Sequence, residues 1–311
     1  MGFGGMRFSR SRFGQSGFGR SGIRALRTVA LSLLFAVASA SLGFAQSTAE
    51  AGRVTEPHDW QLGFQQAATP VKERIGAFHD ELLIIITLIT VFVMGLLVYV
   101  IVRFNSRANP VPARTTHNTL IEVIWTVVPV LILVIIAIPS FKLMYYMDRT
   151  QKADMTIKVT GHQWYWSYEY PDLGDVSFDS NIIPEDQLKP GQKRLLDVDN
   201  RLIVPVGENV RVLIAGSDVM HSWFVPSFGV QMYAVVGRLN ETWFNVEHEG
   251  VYYGQCNQIC GVNHAFMPIV VQAVSKEDFA KWIDAKKKQA RNDGAPAVQI
   301  AGAAPAAAAA Q

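Results

Sequence analysis

Two long apolar segments in the first half of this chain restrict its fold more than any other feature. Residues 82–102 contain no charged side chain, and residues 120–141 contain one, Glu122. At about 1.5 Å per residue, a helix of about 20 residues spans the roughly 30 Å of a bilayer's hydrocarbon core. Pro129 and Pro139 interrupt the second run, which membrane helices tolerate better than soluble helices do. We therefore predict two transmembrane helices; a buried helix of a soluble protein is the alternative for the first.

The connector between the two runs predicts their orientation. Residues 103–119 carry three arginines and no acidic residue, and by the positive-inside rule such a short loop faces the cytoplasm. The segment 81–146 is thus predicted to be a helical hairpin whose two free ends lie outside the membrane.

The N-terminal segment has the layout of a secretory signal peptide. Residues 1–45 hold six arginines and no acid, and an apolar run over 29–37 is followed by small residues up to Ala45. Cleavage after Ala45 is expected, with an uncleaved anchor as the alternative. A cleaved signal also places residue 46 outside, and residues 46–80 are predicted to be an exposed periplasmic segment.

Charge and composition exclude several classes of protein. The formal net charge is +2, but without the six leader arginines 22 basic residues face 26 acidic ones, a net of −4. A nucleic-acid partner therefore loses its electrostatic support. The two cysteines are too few for a disulfide scaffold. Charged residues make up 17% of the chain, below the roughly 25% of soluble proteins, in keeping with a membrane protein.

Residues 150–284 show a different pattern, in which short alternating segments are separated by turn signals. Many short strands at such spacing indicate a β-sandwich or barrel. A terminal helix is predicted over residues 276–290, past the end of the β-rich domain at 284, and the Ala- and Pro-rich segment 285–311 is otherwise predicted to be a disordered tail. The predicted strands cover residues 155–160, 164–170, 201–206, 210–215, 222–226, 241–246, 251–255 and 269–274.

Both cysteines lie in one short window of this β-rich region, with the order Cys-x3-Cys-x3-His-x2-Met. The residues are Cys256, Cys260, His264 and Met267. Thiolate, imidazole and thioether ligands suit copper better than zinc, calcium or magnesium. A second histidine must come from elsewhere, and His221, between two predicted strands, is the best candidate.

A second thiolate favours two copper ions over one, since it can bridge two metals. Two thiolates and two coppers averaging +1.5 give a centre of charge +1 when oxidised and 0 after one electron, which limits the cost of burying it. A Cys256–Cys260 disulfide is the leading alternative in an oxidising compartment, and a zinc site is another. His221 and Met267, taken singly, would each more often be packed core residues, so the prediction rests on the set of ligands as a whole.

At this window the chain resembles cytochrome c oxidase subunit II. The resemblance runs from about residue 70 to about 284, and it includes residues 120–126, 161–170 and 218–223. It implies a two-helix transmembrane hairpin plus an all-β cupredoxin-like domain, a Greek-key sandwich or barrel, outside the membrane. A quinol-oxidase subunit II, which should lack the cysteines, and the soluble copper domain of nitrous-oxide reductase, which lacks the helices, are the rival interpretations.

The resemblance also implies a dinuclear copper centre, CuA, in which the two cysteines bridge both ions. The first histidine and the methionine would complete one copper, and the second histidine and a backbone carbonyl would complete the other. The implied ligands are His221, Cys256, the Gln258 carbonyl, Cys260, His264 and Met267.

The implied function is that of the electron-accepting subunit of an aa3-type-like, proton-pumping cytochrome c oxidase in the bacterial inner membrane. Electrons would come from cytochrome c and pass to haem in subunit I, where oxygen is reduced. The implied partners are subunit I, other oxidase subunits, cytochrome c and the lipid bilayer.

One residue departs from the family pattern. Gln258 stands where the family usually has Glu, whose side chain helps to bind magnesium or manganese at the border with subunit I. A backbone carbonyl ligand survives this change, but a neutral amide is a weaker ligand for a hard cation. We expect the second metal site to be either weakened or lost.

Two further sets of residues follow from the resemblance. Trp164 is implied to receive the electron from cytochrome c, and Glu122 to mark the mouth of a proton path, with a plain interfacial carboxylate as the alternative for the latter. Residues 151–284 hold 17 acids and 10 bases, a net of −7, and a negative field steers a basic partner. The implied docking acids are Glu169, Asp175, Asp179, Asp199 and Asp218.

Overall fold

The structure, a computed structural model, describes residues 57–111, 113–148, 152–174 and 176–292. Three α-helices lie in this part of the chain: α1 (Pro70–Arg103), α2 (Thr119–Asp148) and α3 (Lys276–Asn292). The predicted signal peptide lies outside the described residues, as does the predicted tail beyond Asn292. The helix predicted over residues 276–290 is present and ends at Asn292, so the first residues of the 285–311 segment are helical.

Ten strands between α2 and α3 form the second part of the molecule. Their bounds are β1 Met155–His162, β2 Tyr165–Tyr170, β3 Val176–Ser180, β4 Leu202–Pro205, β5 Asn209–Gly216, β6 His221–Val225, β7 Val230–Ala234, β8 Asn240–Asn245, β9 Gly250–Cys256 and β10 Pro268–Val274. They form two five-stranded sheets, with the orders β3-β2-β1-β5-β8 and β4-β10-β9-β6-β7. The predicted fold class, two membrane-length helices followed by an all-β domain, is confirmed.

The strands β3 and β7 were not predicted from the sequence. Each lies at the edge of its sheet, and each buries only its first and last residues. An edge strand that is exposed along most of its length needs few apolar residues, so its sequence carries a weak signal. The other eight strands lie where the alternating segments predicted them, to within a few residues.

The core of the β domain lies between the sheets, and its largest side chains are aromatic rings. The inward face of β2 contributes Trp166, Tyr168 and Tyr170, all fully buried. Trp223 of the opposite sheet stacks on Phe244 with ring centroids 6.1 Å apart. Burying a large apolar side chain stabilises a fold by about 1.5–3 kcal/mol. The buried rings therefore contribute strongly to holding the two sheets together.

The helices α1 and α2 are long and apolar enough to cross a membrane, and the most apolar stretch of each contains no buried residue. Both extend beyond the predicted spans at their outer ends: α1 begins at Pro70 and α2 ends at Asp148. There the Arg74 guanidinium lies 3.6 Å from the centroid of the Tyr146 ring. Because the apolar stretches of α1 and α2 are exposed, they can contact lipid or other membrane helices.

The segment before α1 joins the helices to the β domain. Ala68 donates its N–H to the Ser227 carbonyl (2.9 Å), and its own carbonyl accepts from the Glu247 N–H (3.2 Å). Thr69 caps the helix by accepting from the Lys72 N–H, and its hydroxyl donates to the Phe228 carbonyl (2.7 Å). The helix thus starts from a position fixed by the β domain.

Candidate metal centre

His221 is the first residue of β6, and it is fully buried at one end of the β domain. β6 pairs with β9 in a register that sets Trp223 opposite Cys256, the last residue of β9. The antiparallel pairing therefore brings the histidine at the start of one strand close to the cysteine at the end of the other.

The loop between β9 and β10 carries the remaining candidate ligands. Because Pro268 pairs with Gln255, Cys256 at the end of β9 lies beside Met267, the residue that precedes β10. Cys260 and His264 lie within the loop, which is folded by hydrogen bonds from the His264 N–H to the Gly261 carbonyl (3.2 Å) and from the Gln255 amide to Ala265 (2.9 Å). The hairpin thus returns four side chains to one place.

The six predicted ligands come together at this end of the domain. His221, Cys256 and Cys260 each offer a ligand atom within 4.8 Å of the others, and all three are buried. The two Sγ atoms are 3.9 Å apart, far beyond the roughly 2.05 Å of a disulfide. Sγ of Cys260 lies 3.4 Å from Sδ of Met267 and 3.5 Å from Nδ1 of His264, and Sγ of Cys256 lies 3.4 Å from the Gln258 carbonyl.

The donor atoms fit a soft metal. Nε2 of His221 lies 2.9 Å from Oδ1 of Asp218, while its Nδ1 is buried without a hydrogen-bond partner among the described residues. An orphaned imidazole nitrogen beside two thiols is costly unless something binds it. Thiolate, imidazole and thioether donors are the set that copper prefers, so these residues could hold it.

The two thiols differ in acidity. Burial raises the pKa of Cys256, but contacts with the His221 imidazole and with backbone N–H groups outweigh burial and lower that pKa to about 7. Burial and the negative charge of Cys256 together raise the pKa of Cys260 to about 12. One thiol therefore ionises readily, and the other needs a nearby cation to release its proton.

Asp218 and His221 form a hydrogen-bonded pair. Burial works against the carboxylate, but hydrogen bonds from His221 and from the backbone N–H groups of Val219 and Gln163 lower the pKa of Asp218 overall. Burial also works against the charged imidazole, yet Cys256 and Asp218 raise the pKa of His221 overall. The pair fixes the ring orientation in the way carboxylates orient metal-binding histidines.

Several residues around the site had no predicted role. Gly161 is needed for close approach, because a Cβ at this position would lie 2.9 Å from the His221 ring. The Trp166 indole packs edge-on against that ring and donates its N–H to the Met267 carbonyl (3.2 Å). Gln163 donates to the Cys260 carbonyl. All three belong to the 161–170 segment. Its long match to the family pattern was the only feature of the sequence that pointed to them.

Trp164, the predicted electron acceptor, lies half-buried against the metal loop. Its indole N–H donates to the Cys260 carbonyl at 3.2 Å, and Cζ2 would be 3.0 Å from a Cβ placed on Gly261. The ring thus packs directly on the peptide that follows the second cysteine, with part of its surface exposed to solvent.

The predicted docking acids differ in their surroundings. Glu169 pairs with Lys158 at 2.9 Å, Asp179 accepts from the Ser167 hydroxyl at 2.6 Å, and Asp199 accepts from the Asn181 N–H at 2.7 Å. Asp218 is engaged with His221, and Asp175 lies outside the described residues. Asp179 and Asp199 are exposed and carry the least compensated charge of the four described.

Glu122, the predicted proton-path residue, lies in the first turn of α2 and is partly exposed. Its carboxylate accepts a hydrogen bond from the Asn118 N–H at 3.2 Å, and the Asn118 side chain accepts from the N–H groups of Leu120 and Ile121. Together with Thr119 and Thr126 it lines a shallow depression on the helix surface. The residue therefore contributes to the helix cap, and its side chain remains accessible.

Sequence comparison assigns both parts of the chain. Residues 155–274 match the family described as cytochrome C oxidase subunit II, periplasmic domain. Residues 57–143 match cytochrome C oxidase subunit II, transmembrane domain. The two matches together cover the helical hairpin and the β domain that holds the metal-binding side chains.

Individual relatives agree with these matches. The chain is 56% identical over 238 residues to a probable cytochrome c oxidase subunit 2 of Rickettsia bellii, covering 76% of this chain and 88% of the relative. It is 53% identical over 230 residues to cytochrome c oxidase subunit 2 of Zea mays, covering 72% and 88%. The crystal structure of the periplasmic domain of cytochrome oxidase subunit II from Bradyrhizobium japonicum is 50% identical, with a TM-score of 0.43, and covers 45% of this chain and 99% of that one. On the identity and the coverage of the full-length relatives, the chain belongs to the cytochrome c oxidase subunit II family.

Proposed function

We propose that this subunit accepts electrons from cytochrome c at a dinuclear copper centre, CuA, and passes them to haem in subunit I of an aa3-type-like oxidase. Oxygen would be reduced in subunit I, and protons would be pumped by the assembled complex. The observation that carries the proposal is the buried cluster of His221, Cys256 and Cys260, in which Nδ1 of His221 has no hydrogen-bond partner among the described residues. The Gln258 carbonyl, His264 and Met267 each lie within 3.5 Å of one of the two Sγ atoms.

The residues have separable tasks in this proposal. Copper bound here would supply reversible one-electron transfer. Cys256 and Cys260 provide two thiolates on one loop, and His221, His264, Met267 and the Gln258 carbonyl provide the remaining donors, all within contact distance of a thiol or of each other. A rigid β scaffold limits the movement of these donors and therefore the reorganisation that accompanies a change of charge.

The electron would arrive through the Trp164 ring. The indole is partly exposed, and its N–H donates to the Cys260 carbonyl. From that carbonyl the backbone leads through Cα and Cβ to the thiolate, so a short covalent path and one hydrogen bond connect the surface with the metal loop. The negative charge of the surrounding domain would steer a basic cytochrome towards this ring.

The membrane placement follows from the charge of the loop between the helices. Residues 103–119 would face the cytoplasm of a bacterial inner membrane, and the β domain would lie in the periplasm. Glu122, in the first turn of α2, would then lie at the cytoplasmic side, where a proton path would begin. A magnesium or manganese site that uses the Gln258 side chain at the border with subunit I would be weak or lost.

Copper counting combined with EPR tests the proposal on the full-length chain in detergent. We expect two coppers per chain and a seven-line hyperfine pattern, because one unpaired electron shared by two spin-3/2 nuclei gives seven lines where a single nucleus gives four. Cys256→Ser and Cys260→Ser should each abolish the seven-line pattern. Met267→Leu should alter it, whereas Met232→Leu, which changes a methionine of β7 that is packed against the core and is not one of the six donors, should not.

Three results would contradict the proposal. A single copper with a four-line spectrum would indicate a mononuclear site. Binding of zinc in preference to copper would indicate a different metal. A chain that binds no copper after reduction and copper loading, because its two cysteines form a disulfide again, would show that there is no copper centre.

A further inference from the structure

Gln163 lies in the turn between β1 and β2 and contacts the two chain segments that carry the metal-binding side chains. Its backbone N–H donates to Oδ2 of Asp218 at 2.7 Å, and its side-chain amide donates to the Cys260 carbonyl at 2.8 Å. The first contact is with the segment that leads into β6, and the second is with the loop between β9 and β10.

These contacts complete a hydrogen-bonded chain around the site. The other oxygen of Asp218 lies 2.9 Å from Nε2 of His221. The order of groups is therefore His221, Asp218, Gln163, Cys260, and every link is a hydrogen bond between protein groups. This chain connects a ligand on a strand with a ligand on a loop without using the metal.

Two donors converge on the carbonyl of Cys260. The Gln163 amide is 2.8 Å from the oxygen, and the Trp164 indole nitrogen is 3.2 Å from it. The peptide beneath them has no space for a side chain, because a Cβ on Gly261 would lie 3.1 Å from Nε2 of Gln163 and 3.0 Å from Trp164, and Gly261 has φ +123°. The shorter bond is the one from Gln163.

We propose that Gln163 is a positioning residue that fixes the Cys260 peptide against the Trp164 indole and so maintains the electron path between them. The inference rests on the proposed function, since it concerns how electrons reach the same metal site. Without the amide, the longer indole bond is the remaining side-chain donor to this carbonyl among the described contacts. The peptide and the ring then separate more often, and electron transfer between them slows.

The test uses the assembled oxidase with Gln163→Leu, which keeps the side-chain volume and removes the donor. Gln187→Leu is the matched control, because Gln187 lies in an exposed turn after β3. We expect unchanged copper content and an unchanged EPR spectrum in both variants. In Gln163→Leu the rate of copper reduction by cytochrome c should fall on the order of tenfold with an unchanged KM, since one well-formed hydrogen bond is worth about that factor.

A double-mutant cycle with Trp164→Phe sharpens the test. If Gln163 acts through the indole, adding Gln163→Leu to Trp164→Phe should cause no further loss of rate, because residues that share one interaction are not additive. Full additivity of the two losses would overturn the proposal.

Other outcomes also separate the possible roles. A raised KM with an unchanged maximal rate would show that Gln163 contacts cytochrome c instead. A lower melting temperature with a normal rate would show a structural hydrogen bond and nothing more. If the wild-type oxidase itself bound no copper in this subunit, the proposed function would be wrong. If the wild type bound copper as expected and Gln163→Leu was reduced at the same rate, only the positioning role of Gln163 would be wrong.

Discussion

The carboxylate of Asp218 lies 2.9 Å from Nε2 of His221 and leaves Nδ1 of the same ring as the free nitrogen inside the site. The sequence had suggested Asp218 only as a docking acid for cytochrome c. Its position gives it a second task, because a carboxylate on one ring nitrogen fixes the tautomer and raises the basicity of the other.

Asp218→Asn should therefore weaken copper binding. An amide oxygen can still accept from the imidazole, but it lacks the negative charge, and changes of this kind cost about 10- to 100-fold in metal affinity. Copper retention against a competing chelator measures the effect. Asp199→Asn is the control, since Asp199 bonds Asn181 and Asn200 and makes no contact with the described ligands. Equal retention in the two variants would show that Asp218 does not support the histidine.

Gly161→Ala should disturb the same histidine by a steric route. The added Cβ would lie 2.9 Å from two atoms of the buried His221 ring, and overpacking of this kind costs about 1–3 kcal/mol of stability. We expect a lower midpoint of urea unfolding, followed by tryptophan fluorescence, and a loss of bound copper. Gly76→Ala is the matched control, because a Cβ there meets nothing within 4 Å. The expectation is wrong if both alanine variants unfold at the same midpoint with full copper.

Trp164→Phe should slow reduction by cytochrome c while leaving the copper spectrum intact. Phenylalanine keeps an aromatic ring but cannot donate to the Cys260 carbonyl, which removes the hydrogen bond from the path. We expect a loss of roughly tenfold or more in the rate measured by stopped-flow. Trp60→Phe changes an almost fully exposed indole and should have no effect. A normal rate in Trp164→Phe would place electron transfer elsewhere.

The docking acids should contribute unequally to cytochrome binding. Asp199→Asn should raise KM about two- to threefold at low ionic strength, because an exposed charge at an interface acts mainly through steering. Glu169→Gln should change KM less, since Lys158 already offsets that charge at 2.9 Å. The measurement is KM for soluble cytochrome c as a function of salt. A KM that does not change from low to high salt would remove electrostatic steering as the cause.

Glu122→Gln should affect proton uptake and spare electron transfer to copper. The amide oxygen can still accept from the Asn118 N–H, so the start of α2 should keep its cap. We expect a several-fold lower turnover of the oxidase in liposomes, with an unchanged rate of copper reduction by cytochrome c. Normal turnover in this variant would leave Glu122 as a capping residue only.

The sequence predicted the fold where burial imposes a regular pattern. Central strands such as β1 and β5 alternate clearly, and the two membrane-length runs carry no charge apart from Glu122 near the start of the second. The edge strands β3 and β7 were missed because exposed positions tolerate polar residues. The outer end of α1 was also missed, because it is stabilised by contacts with the β domain and by its Thr69 cap more than by an apolar run.

The kinds of donor atom in the candidate metal centre, and their order along one loop, can be read from the amino-acid sequence, because the Cys-x3-Cys-x3-His-x2-Met spacing is the same in any conformation. That His221 reaches this loop depends on the fold, since the β6–β9 register brings the two segments together. The contacts of Asp218 with the histidine, and of Gln163 with Asp218 and Cys260, likewise arise only in the folded chain. These contacts join residues that are far apart in the chain. The distances between them depend on which strands pair and in which register, and the spacing of residues along the sequence does not reveal that pairing.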